Sequence, residues 1–263
     1  MQKEWRYFLL ALGFFTRLPV PSFNDFQESD LNHAAKYFPL VGIIVGVIAA
    51  LSYYLSALVL PHSIAVFISM AASIYCTGAF HEDGLADSAD GLGGGWTVEQ
   101  VLTIMQDSRL GTYGAVALFL ALFGKFQLLD NMSYSLIPFV VIAGHALSRL
   151  CAVWVMATLS YVKFNGKAKP LATEIKLADL VIANIFGLLP FTIFLGLLIG
   201  TNYSHLLTLQ LILCVALPIS LALVWWRSIL KKRLSGYTGD GLGAMQQISE
   251  IAFYLGVLFW PPL

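Results

Sequence analysis

The chain has 263 residues, 58% of them hydrophobic and only 11% charged, with a formal net charge of +0 and a mean hydropathy of +0.77. Soluble domains carry about a quarter charged residues, so a water-soluble core is excluded, and the neutral balance excludes an electrostatic nucleic-acid binder. Long uncharged runs are instead the signature of a chain whose solvent is lipid.

The first segment, MQKEWRYFLLALGFFTRLPVP, has an apolar stretch from Tyr7 to Phe15 that ends at Arg17 with no small-residue cleavage site behind it. It reads as an interfacial or re-entrant helix rather than a cleaved signal. Seven apolar runs follow, near 38–60, 62–80, 111–129, 135–160, 179–200, 205–226 and 243–260. Each is close to the roughly 20 residues a helix needs to cross a bilayer. Period-2 alternation is absent, which argues against a β-barrel. The expected fold is all-α: one integral membrane domain over 1–263, a polytopic helical bundle of about seven transmembrane helices plus the N-terminal helix. Cys76, Cys151 and Cys214 lie inside apolar runs without metal-ligand spacing and read as small buried hydrophobes. No internal repeat of the kind that builds transporters is visible.

Charge sets the orientation. With the N-terminus inside, segments 1–37, 81–110, 161–178 and 227–242 hold Lys3, Arg6, Arg17, Lys36, Arg109, Lys163, Lys167, Lys169, Lys176, Arg227, Lys231, Lys232 and Arg233. The short outside segments near 61, 130–134, 201–204 and 261–263 hold no lysine or arginine. The positive-inside rule then puts the polar loops near 81–110 and 227–242, where the chemistry gathers, in the cytoplasm. Lys125 and Arg149 remain within spans; Lys125, toward the outer end, is expected to snorkel.

Residues 81–95 read HEDGLADSADGLGGG, with Asp83, Asp87 and Asp90 spaced i, i+4, i+7 on one helical face. Like charges so placed repel, and a hard divalent cation such as Mg²⁺ relieves them, taking one or two carboxylates plus substrate phosphates. His81 and Glu82 point elsewhere on such a helix. In DSRLGTYG at 107–114, Arg109 has the fork geometry to clamp a phosphate, with Asp107 as its partner or as a further ligand. In GYTGDGLGAMQQISE at 236–250, Asp240 follows a Gly/Thr turn and Glu250 lies deeper in the last run, where an acid is a functional candidate. His145 and Arg149 share a face of the fourth run at i, i+4. His145 suits an interhelical hydrogen bond, and Arg149 a buried acid. The loop lysines Lys163, Lys167 and Lys169 are chiefly topogenic, with a phosphate-binding role open for Lys169.

FFTRLPVP at 14–21, GAFHEDGLADSADG at 78–91, DSRLGTYG at 107–114 and TGDGLGA at 238–244 together resemble the cobalamin synthase family, the adenosylcobinamide-GDP ribazoletransferases. The blocks stand in that family's order and cover the chain from end to end. The resemblance implies a multi-pass protein of the cell inner membrane that joins adenosylcobinamide-GDP to α-ribazole or its 5′-phosphate, releasing GMP with Mg²⁺. It carries a site onto this sequence: Asp83, Asp87 and Asp90 as metal ligands, Asp83, Arg109 and Asp240 as catalytic groups, and Arg109, Arg149 and Thr238 toward substrate, to which the reading of the loop adds Lys169. Glu82 departs from the pattern, standing where the family has an apolar residue. Two alternatives stay open from the residues alone. A CDP-alcohol-type lipid phosphotransferase is one, although Asp87 follows Ala86 where that pattern has arginine. The other is a cation transporter, although its acids would lie beyond the span end rather than at midplane. The sequence leaves open whether the chain is a monomer or a homo-oligomer.

Overall fold

The computed structural model describes residues 2–22, 28–162, 175–200 and 203–260. An amphipathic helix α1 (Gln2–Phe15) is followed by α2 (Glu28–Ala34), a 3-10 turn (Ala35–Tyr37) and α3 (Phe38–Ala57). Then come α4 (His62–Thr77), α5 (Phe80–Gly94), α6 (Val98–Met105), α7 (Thr112–Asp130), α8 (Ile137–Thr158), α9 (Leu177–Gly200), α10 (His205–Leu234) and α11 (Gly239–Leu258). Among the described residues the one β-type pairing outside helices is an isolated bridge between Tyr161 and Tyr237.

Five helices are long and apolar enough to cross a membrane, or six if α4 and α5 count as one broken span. The expected count of about seven differs at two places, each with a physical reason. The expected span at 62–80 is cut short: α4 has 16 residues, about 24 Å, against a hydrocarbon core of about 30 Å. Gly78 (φ 65°) and Ala79 (φ 60°) then adopt left-handed backbone, and α5 leaves at an angle of 84°. With Glu82, Asp83, Asp87 and Asp90 on its 15 residues, α5 is the polar limb of the bend and not itself a span. The second place is α11. Its 20 residues have the length to cross, but it lies inside the bundle, packed against α5, α7, α8 and α10. From Gly241 to Val257 it is buried almost continuously. Protein rather than lipid surrounds it, so Gln246, Gln247, Ser249 and Glu250 find polar partners there and the helix need not be apolar.

Close helix contacts use glycine. On α3, Gly42 and Gly46 form a GxxxG face against the α8 backbone: a Cβ on Gly42 would meet the His145 carbonyl, and one on Gly46 would stand 2.7 Å from the Ile142 Cα. Small residues let membrane helices approach in this way. α1, with 14 residues, is too short to span. It is tied to the bundle by Arg6–Asp30 at 2.9 Å and by Lys36, which reaches Glu4 at 2.8 Å and Asp179 on α9 at 3.1 Å.

Candidate phosphotransfer site

The site begins with a crossing. A Cβ on Gly84 of α5 would stand 3.1 Å from the Asp240 Cα and 3.2 Å from the Gly243 Cα, and one on Gly243 would stand 3.3 Å from the Gly84 Cα. The two helices therefore touch backbone to backbone, which only glycine permits at both faces. The crossing brings the first acids of α5 beside the first turn of α11. That turn is fixed by Thr238, the N-cap, whose hydroxyl accepts from the Gly241 N–H at 3.0 Å. The Trp226 indole N–H donates to the Gly241 carbonyl at 2.7 Å and holds the same turn from α10.

Four carboxylates from two helices act on one another here. Burial first, then the charges of Asp83 and Asp90, push the Asp87 carboxyl up to about 6. Burial first, then Asp87 and Asp83, push Asp240 up to about 7. Asp83 is exposed, while Asp87 and Asp240 are half-buried, so the cluster opens to solvent at Asp83. Asp90, aligned with the others in sequence, is occupied differently. One of its oxygens accepts from the Gly111 N–H at 2.8 Å and the other from the Gly114 N–H at 2.9 Å. It caps α7 from a neighbouring helix, where unpaired N–H groups and the helix dipole favour an anion. Asp90 thus locks α5 to α7.

The other expected site residues are distributed unevenly. Arg109 is solvent-facing, its side chain 87% exposed, and its Nε donates to both Asp107 oxygens at 3.0 Å. Its charge is not among those acting on Asp87 or Asp240. The loop holds Arg109 on its own Asp107, two residues before the Gly111 N–H that bonds Asp90. Arg149 is 2% exposed. It lines a narrow internal cavity with Phe15, Phe38, His81, Gly243 and Gln246, behind the α5–α11 crossing. Its Nη1 donates to the His145 carbonyl at 3.0 Å, and its Nε has no partner. Lys169 lies outside the described residues.

Lys125 does not snorkel. It is 5% exposed, its Nζ lies 3.2 Å from Glu250 Oε1, and it donates to Gln247 Oε1 at 2.9 Å. Glu250 also accepts from Tyr254 at 2.9 Å and from Gln246. Gln247 in turn donates to Glu82 Oε1 at 2.9 Å. A buried chain Glu82–Gln247–Lys125–Glu250 therefore joins α5, α11 and α7, the helices that carry or brace the acidic cluster. Sequence reasoning passed over Gln246 and Gln247. Two adjacent amides inside an apolar run were the signal, because such groups are kept only where they are satisfied.

The donor set fits a hard divalent cation. Burial first and the neighbouring acids second raise the proton affinity of Asp87 and Asp240, the response of carboxylates with no cation beside them. Among the described residues no three His, Cys, Asp or Glu side chains close around one point. Carboxylate oxygens are the donor type Mg²⁺ takes, one or two at a time, with water and substrate phosphate completing its shell.

Comparison with known proteins agrees with the motif order. The family model described as cobalamin-5-phosphate synthase matches residues 7–258. A protein of Shewanella frigidimarina named adenosylcobinamide-GDP ribazoletransferase is 45% identical over 97% of this chain and 95% of its own length. Proteins of the same name from Ralstonia pickettii, 42% identical over 99% of the chain and 98% of their own, and Vibrio parahaemolyticus, 41% identical over 98% and 94%, are also similar. No solved structure matches the chain. Neither the CDP-alcohol phosphotransferase nor the cation transporter is favoured by these matches. With its motifs in order and a match across nearly its whole length, the chain belongs to the cobalamin-5-phosphate synthase family.

Proposed function

We propose that this protein is a membrane phosphotransferase that joins adenosylcobinamide-GDP to α-ribazole or its 5′-phosphate and releases GMP. The observation that carries the reading is the Gly84–Gly243 crossing, which sets Asp83 and Asp87 of α5 beside Asp240 of α11. In the reaction a ribazole hydroxyl oxygen attacks the phosphorus that bears the cobinamide ester. The P–O bond to GMP breaks, and the hydroxyl proton passes to a base. Asp240, on the first turn of α11 beside Asp83 and Asp87, is the candidate for that base. Asp83 and Asp87 would hold Mg²⁺, which supplies charge neutralisation on the pyrophosphate. Asp90 positions α5 through its two bonds to α7. Thr238 holds the turn from which Asp240 projects. Catalysis of this kind is positioning and electrostatics rather than covalent chemistry by the protein.

The one-sided lysines and arginines support an inner-membrane protein with this face in the cytoplasm, where nucleotide substrates are found. Single cysteines at Trp96, 91% exposed, and Tyr134, 66% exposed, test the orientation. An impermeant thiol reagent applied to intact cells should label position 134 and spare 96; the opposite pattern overturns it. Activity is tested with purified protein in proteoliposomes. GMP release should require adenosylcobinamide-GDP, α-ribazole or its phosphate, and Mg²⁺ together, and release without the ribazole would contradict the reading.

A further inference from the structure

Away from the acidic cluster, α4 and α7 diverge around a lateral groove of about 750 Å³. Its walls are Phe67, Met70, Ala71 and Tyr75 of α4 and Phe119 and Phe123 of α7. Its end, at the α4–α5 bend, is closed by Arg17, Gly78 and Ala79. Arg17 is fixed there twice. Its backbone N–H donates to the Cys76 carbonyl at 2.8 Å, and its guanidinium lies 5.4 Å from the centre of the Tyr75 ring. No carboxylate among the described residues forms an ion pair with it, in contrast to Arg6, Lys36, Arg109 and Lys125.

We infer that this groove is a binding site for one anionic phospholipid, an acyl chain lying between α4 and α7 and the phosphate on Arg17. The dimensions agree. From Phe67 to Gly78 the chain rises by about 17 Å, close to the depth of one leaflet, about 15 Å. The charge agrees as well. The single cation sits at the end of the groove beside the α4–α5 bend, which in the orientation proposed above faces the headgroups of the inner leaflet. A guanidinium offers a phosphate two parallel N–H bonds, and an aromatic face beneath it keeps the fork in place. The bound lipid would fill the wedge beneath the Gly78–Ala79 break and so brace the bend from which α5 departs.

Native mass spectrometry of the whole protein, released from micelles after incubation with equal amounts of phosphatidylglycerol and phosphatidylcholine, tests this. One juxtamembrane arginine is expected to favour the anionic lipid about fivefold. The wild-type protein should therefore keep one phosphatidylglycerol about fivefold more often than phosphatidylcholine. Arg17→Gln should bring the ratio to about one, whereas Lys231→Gln, on the exposed basic cluster, should leave it unchanged. Ala71→Trp, which fills the exposed wall, should remove bound lipid of both kinds, with thermal midpoints confirming that each variant is folded. Equal retention of the two lipids by the wild type would overturn the inference, as would a preference untouched by Arg17→Gln. So would a dimer that Ala71→Trp dissociates without changing bound lipid, which would make the groove a contact between two copies.

Discussion

Lys125→Met removes a charge while keeping the length of the side chain, and its cost follows from what the ammonium touches. Lys125 Nζ stands 3.2 Å from Glu250 Oε1 and 2.9 Å from Gln247 Oε1, with both partner residues no more than 2% exposed. The change leaves Glu250 as a buried anion supported by the neutral donors Tyr254 and Gln246, by His145 at 3.7 Å and by the more distant charge of Arg149. Breaking a buried pair from one side costs about 3–5 kcal/mol, and the stranded Gln247 oxygen adds about 1 kcal/mol. For a chain of this size each kcal/mol lowers the midpoint of unfolding by about 2–4 °C, so a fall of roughly 8–24 °C is expected in nanodiscs followed by tryptophan fluorescence. The double variant Lys125→Met with Glu250→Gln removes both charges and should recover much of that loss, a coupling well above 1 kcal/mol. A single variant within 2 °C of wild type, or a double variant that is the sum of the singles, would refute the buried pair. The same geometry places Lys125 level with Arg149 as a structural cation, whereas the sequence alone ranks Arg149 first because Lys125 has a route to the outer interface.

Gly84→Val puts side-chain atoms into the Asp240 backbone across the crossing, and GMP release by the folded variant is expected to fall at least about 100-fold, as for catalytic groups displaced by an ångström; near-normal turnover would contradict the crossing as the basis of the site. Asp90→Ala should lower the unfolding midpoint, by about 1–2 kcal/mol in stability for a lost cap, while the concentration of Mg²⁺ needed for half-maximal activity stays the same; a large shift in that concentration would make Asp90 a ligand. Stability without Mg²⁺ should fall as pH rises from 5 to 8. The folded-state carboxyls of Asp87 and Asp240 stand at about 6 and about 7, above the ordinary 3.8. Their stabilising protonation is complete below the ordinary value and lost as pH rises through the folded ones. Asp240→Asn should flatten the upper part of that slope, and a midpoint that rises across the window would reverse the sign and sink the assignment.

Much of the architecture was legible because lipid imposes one strong rule, that backbone polar groups bond within helices, and apolar length reports it directly. The rule misreads helices that are not surrounded by lipid. α11 looks like an ordinary last span with an awkward glutamate, yet with α8 it is among the most enclosed helices, and its Gln246, Gln247 and Glu250 are paired inside protein. The α4–α5 break rests on two left-handed residues; Gly78 hints at it, while Ala79 gives no local sign, because tertiary packing holds it there. In the site, the one-face spacing of Asp83, Asp87 and Asp90 showed where the acids gather. It did not show that Asp90 spends its oxygens on Gly111 and Gly114, because a cap supplied from another helix leaves no pattern in either segment. The state of Arg109 was hidden for a related reason: a neighbour two residues away, Asp107, competes for the same fork that a substrate phosphate would fill.

The central claim is that acids from α5 and α11 form one cation-dependent site for phosphoryl transfer. GMP release by Asp83→Asn, Asp87→Asn and Asp240→Asn, each in proteoliposomes across a magnesium titration, tests it most directly. Asn keeps the size and removes the charge. The account predicts that all three fall at least about 100-fold, that more Mg²⁺ does not rescue Asp240→Asn, and that Asp83→Asn and Asp87→Asn need a higher concentration for whatever rate remains. Wild-type rates with an unchanged magnesium dependence in these variants would contradict it, and would move the chemistry away from the Gly84–Gly243 crossing.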